Sequence, residues 1–274
     1  MSGTPQTFTQ AARQVLGTAD PVRKASCARQ LADDWNNGAL SALGDTAMAA
    51  RPGRPDRPRL LAPRDMPRRR KGGALHNRIA LLHAIAHIEL NAIDLAVDIA
   101  GRFGAAIGPA FVTDWLSVAA DEARHFMLLQ DRLTDLGSTY GDLPAHDGLW
   151  EAADRTAHDP CARLAVAHMV LEARGLDVTL PMIERLRRHR DDRSADILQI
   201  IYNDEIGHVR LGSIWFRRLA EQKCTNVDAY WRELVTRNFD GNLKRPFNTL
   251  ARQQALMPPS LYEPLARAAT AGSS

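Results

Sequence analysis

Glu122-Ala-Arg-His125 and Glu205-Ile-Gly-His208 share the spacing Glu-x-x-His, lie 83 residues apart, and each follows a lone glutamate, Glu89 or Glu172, by 33 residues. Residues three apart share a helix face, so each motif presents a carboxylate and an imidazole to one point. Asp94 and Asp177, and Asp121 and Asp204, obey the same 83-residue offset. One Glu-x-x-His is an ordinary surface pair, whereas five position pairs in one register point to a duplicated helical hairpin. Two such hairpins would bring four Glu and two His together.

That set is the ligand set of a two-metal carboxylate bundle: one Glu from each of two helices and Glu-x-x-His from each of the other two. The stretch Ile79–Ala100 is apolar nearly all round, as in a helix buried within a bundle. Burying Glu89 there is costly unless its charge is compensated. A membrane span would explain the apolarity, but Glu89, Asp94 and Asp98 would be expensive in lipid. A metal pair accounts for both the apolar helix and its acid.

The 274 residues, 45% of them apolar, suffice for one large core with appendages. With 35 basic and 32 acidic residues the net charge is +3, which calls for neither nucleic acid nor a membrane as partner. Cys27, Cys161 and Cys224 are few and widely spaced, as isolated thiols in a reducing compartment would be. The opening Met1-Ser-Gly-Thr-Pro-Gln6 lacks a basic segment followed by an apolar one, and the expected location is cytoplasmic.

Four regions are expected. Residues 1–50 form a helical preface, amphipathic from Phe8 to Leu43, with Asp20-Pro21 as N-cap and first-turn proline. Residues 51–74 form an extended arm, in which five prolines alternate with eight arginines between Arg51 and Lys71. Residues 75–222 carry four helices, Leu75–Arg102, Phe111–Leu136, Cys161–Arg188 and Ala195–Glu221, with a long connection from Gly137 to Pro160. Residues 223–274 form a C-terminal helix and tail. Two short hairpin loops and one long crossover define an all-α, ferritin-like four-helix bundle.

The ligand order resembles that of the ferritin-like di-iron superfamily. The stretches from Arg54 to Arg69 and from Leu82 to Asp94 are similar to a bacterial ferritin-like family of uncharacterised function. A more distant likeness, resting on ligand order alone, is to a di-iron tRNA hydroxylase of the same superfamily. The resemblance implies that Glu89 and Glu172 are terminal ligands, that Glu122 and Glu205 bridge two metals, and that His125 and His208 each hold one. Carboxylate-rich ligation favours two iron ions, with manganese as the alternative.

Around the ligands, Asp121 and Asp204 are placed to accept the second imidazole N–H. His168, four residues before Glu172, lines the metal pocket or is a satisfied core histidine, and Tyr202, three before Glu205, packs in the core in the favoured reading, with a hydrogen-bond or redox role at the site as the alternative. His83 and His87 face away from Glu89 and are not read as ligands. The arm carries charge but no aromatic platform for bases. Its expected role is to strap the bundle, with tRNA as the less favoured partner. The expected activity is oxidation of an organic substrate by a di-iron centre and dioxygen, with an electron-donor protein as further partner. Iron handling and a non-catalytic metal-stabilised interaction module are the alternatives.

Overall fold

The computed structural model describes residues 6–40, 42–67 and 74–266; Arg68, Arg69 and Arg70 of the arm lie outside the described residues. Among those described, the chain is all-α. Its helices are α1 (Phe8–Gly17), α2 (Pro21–Asn36), α3 (Leu75–Ile107), α4 (Pro109–Asp135), α5 (Gly148–Arg155), α6 (Pro160–Arg163), α7 (Ala173–Arg188), α8 (Asp192–Ala220), α9 (Val227–Asn238), α10 (Thr249–Gln254) and α11 (Pro259–Tyr262). A π-helical segment, Leu164–Glu172, joins α6 to α7. Strand-like pairing is confined to two isolated bridges, Leu60 with Ala145 and Leu243 with Ala266. Two compact units are present: Met1–Asp154 with Arg185–Ile197, and Arg155–Glu184 with Leu198–Ser274.

In the first unit, α3 and α4 form a hairpin against which α1 and α2 pack. The expected loop of several residues between them is a single one, Gly108, whose φ of 121° suits glycine. Gly104 does not break α3, because a Cβ there would meet Val112 Cγ2 at 2.4 Å; the position serves close helix approach instead. Glu89 then lies 19 residues before Gly108 and His125 lies 17 after it, so at 1.5 Å per residue they reach the same height. Asp20 caps α2, accepting from the Arg23 amide at 2.7 Å.

The described part of the arm is held by backbone bonds. Gly53 N–H donates to the Leu16 carbonyl at 2.8 Å, and Leu61 N–H to that of Ala145 at 2.8 Å. The Ala145 amide returns a bond to the Arg59 carbonyl at 3.1 Å, so the arm also fixes the long connection after α4. Below it, Leu16, Leu95, Trp150 and Ala153 form a buried cluster.

In the second unit the π-helical segment lies against α8. Gly212 allows this close approach, since a Cβ at that position would meet the His168 Cβ at a tight 3.0 Å. His208 sits one turn before Gly212 and hence on the same face of α8.

Candidate metal centre

The apolar surroundings of α3 and α4 make the centre what it is. Glu89, Glu122 and His125 are all buried. One ligand atom from each lies within 4.8 Å of the others, a grouping able to hold a metal ion. His125 Nδ1 stands 3.1 Å from Glu89 Oε2 and 3.5 Å from Glu122 Oε2. Burial, and then the charge of Glu122, push the Glu89 carboxyl up to about 8. Burial alone would depress His125, but its hydrogen bonds to Glu122 and Glu89 outweigh that and raise it. Burial and mutual repulsion thus work against two charged carboxylates so close together, and a positive charge between them relieves both; two carboxylates and an imidazole form a donor set that fits a divalent cation.

The repeat-related residues lie in the second unit. The His168 imidazole donates from Nδ1 to both Glu172 oxygens, at 2.8 and 2.9 Å, and is fully buried. His208 is buried, with Nδ1 3.9 Å from Glu205 Oε2. His168 thus anchors one oxygen-ligand candidate and fixes its direction, as groups behind metal ligands do. The position 83 residues earlier is Ile85, so the first half has no such anchor.

The other sequence candidates have different settings. Asp121 is half-buried and pairs with Arg124 at 3.2 Å, and Asp204 is half-buried. The Tyr202 hydroxyl accepts from Asn248 Nδ2 at 2.9 Å, which ties α8 to the start of α10. His87 binds the Tyr140 hydroxyl at 2.8 Å and the His146 carbonyl at 3.1 Å. His83 Nε2 accepts from the Gly141 amide at 2.9 Å. These two histidines grip the long connection, and burial lowers each to about 4.

The repeat also contains a pair that the sequence marked by offset without assigning a role. Asp94 is buried and ion-paired to Lys24 of α2 and Arg54 of the arm. Burial lowers the Lys24 ammonium pKa, against the pull of Asp94. Asp177 is buried and takes a bidentate pair from Arg252 of α10, at 2.8 and 2.7 Å. Each acid lies five residues after a lone Glu and fastens flanking chain onto its hairpin.

An all-helical protein with a buried carboxylate–histidine cluster is the class that fold and site define. Residues 17–263 match the family described as "Protein of unknown function (DUF455)", and the chain belongs to that family. It is 44% identical over 207 residues to an uncharacterized protein of Haemophilus influenzae, covering 73% of this chain and 72% of the relative. No solved structure matches it.

Proposed function

We propose that the chain is a ferritin-like di-iron oxidoreductase that uses dioxygen to hydroxylate or otherwise oxidise an organic substrate. The observation that carries this reading is the buried Glu89, Glu122 and His125 triad, whose spacing recurs in Glu172, Glu205 and His208. In this reading the two sets complete one site, with Glu122 and Glu205 as bridges. Glu89, Glu122, His125, Glu172, Glu205 and His208 would hold the iron, which would supply redox chemistry toward dioxygen, with an electron donor as further partner.

The protein's own contribution is positional. Helices α3 and α4 exclude water from Glu89, Glu122 and His125, which strengthens their hold on any cation. His168 keeps Glu172 in one orientation. The donors are oxygen-rich and histidine-poor, which favours iron or manganese over a closed zinc site.

Anaerobic loading with ferrous iron should give two ions per chain, and Mössbauer spectra after oxygen exposure should show a coupled ferric pair. Glu122→Ala should remove both ions, since a bridge serves two. One tightly held zinc ion, or loss of a single ion in Glu122→Ala, would sink the proposal. Oxygen uptake should stop after about one round per site without a reductant, whereas continued iron uptake into a mineral would indicate storage.

A further inference from the structure

The second unit holds a cavity of about 380 Å³, within the range of small-molecule sites. Val170, Arg174 and Asp177 recur at i, i+4 and i+7, so they line it from one helix face. Glu172 is two residues on from Val170 and belongs to the other face. None of the six ligand candidates lines the cavity. It is therefore a separate place from the metal centre.

The lining has two kinds of surface. Val170, Leu243 and Phe247 supply an apolar and aromatic wall. Arg174, Lys244 and Arg252 bring three positive charges against the single negative charge of Asp177. Arg252 is 2% exposed, yet its Nη1 is buried with no hydrogen-bond partner, while Nε and Nη2 hold Asp177. A buried guanidinium nitrogen left unpaired is costly, and an anionic oxygen would satisfy it.

The repeat strengthens the argument. The first-half equivalents of Val170, Arg174 and Asp177 are His87, Asn91 and Asp94. There the chain covers that face with its own groups: Tyr140 binds His87, and Arg54 binds both Asn91 and Asp94. A guanidinium holds the acid in both halves, Arg54 on Asp94 and Arg252 on Asp177, but the His87–Tyr140 pair has no counterpart at Val170, where the cavity lies.

We infer that this cavity binds a small organic anion, its carboxylate or phosphate head against Arg252, Arg174 and Lys244 and its apolar body against Val170, Leu243 and Phe247. Because the site is separate from the metal ligands, the inference stands independently of the proposed oxidation, and metal-stripped protein tests it.

Isothermal titration of the full chain with benzoate, phenyl phosphate, neutral benzamide and inorganic phosphate provides the test. Benzoate or phenyl phosphate should bind at least tenfold more tightly than benzamide, and the tighter of the two identifies the head group. Affinity should fall as salt is raised. Lys244→Glu, at an exposed position, should weaken binding about tenfold or more without lowering the thermal midpoint or metal content. Arg252→Lys, which keeps a cation beside Asp177, should weaken it further. Binding of neither anion, equal affinity for benzamide, or indifference to Lys244→Glu would overturn the inference. Inorganic phosphate binding as tightly as phenyl phosphate would overturn its organic part.

Discussion

The first hairpin runs through Glu89 as a regular α-helix, whereas the equivalent stretch of the second, ending at Glu172, is π-helical. The two share ligand spacing but differ in nearly everything that surrounds the ligands. Ile85, His87 and Leu129 of the first half become His168, Val170 and Gly212 in the second. The carboxylates and histidines match at the 83-residue offset, whereas these neighbouring positions do not. π-Helical turns concentrate at functional sites, and this one carries the His168–Glu172 bond on one side and a wall of the cavity on the other.

The largest effects should come from what the halves share. Asp94→Ala strands Lys24 and Arg54, and Asp177→Ala strands Arg252. Each should cost about 3–5 kcal/mol in urea unfolding, the usual loss when one member of a buried pair is removed. If either variant were as stable as the parent, these clasps would not hold the flanking segments.

Next come the positions where the halves differ in size. Leu129 is fully buried, so Leu129→Ala should cost about 2–5 kcal/mol. Gly212→Ala at the matching position should cost only about 1 kcal/mol net, its contact with His168 being partly offset by better helix propensity. Equal tolerance at both positions would mean that helix spacing does not differ between them.

If Glu172 holds a metal as proposed, His168→Ala should weaken that ion's binding by about 10–100-fold in competition titration, as loss of a group supporting a ligand does. Ile85→Ala should leave both affinities unchanged. A matching loss in the two variants would remove the asymmetry at the ligands.

A further effect concerns pH. His83 stays neutral in the folded chain down to about 4, while the unfolded chain takes up its proton near 6.5. Unfolding therefore binds a proton between those values, and stability contributed by His83 is complete above about 6.5 and lost as pH falls toward 4. The slope is at most about 1.4 kcal/mol per pH unit. His83→Gln should flatten it; an unchanged slope would place the titration elsewhere. The second half has Val166 at this position and nothing to protonate.

The grouping of Glu89, Glu122 and His125 was legible because a period of 83 residues survives in the letters, and the helices because apolar periodicity does. The π-helical segment was not, since nothing in the composition of Leu164–Glu172 sets it apart from an ordinary buried α-helix. The extension of α3 through Gly104 was missed for a related reason: glycine reads as a break until Val112 is seen against it. The offset flagged Asp94 and Asp177, but their partners Lys24 and Arg252 stand 70 and 75 residues away, in opposite directions along the chain. Only tertiary approach reveals such pairs.

That opposition has a bearing on synthesis. Lys24 and Arg54 leave the ribosome before Asp94, so this acid meets its counter-ions as soon as α3 folds back onto them. Asp177 emerges 75 residues ahead of Arg252, a wait of roughly 4–15 s at ordinary elongation rates. The first clasp can close while translation continues, whereas the second locks only once Arg252 has emerged.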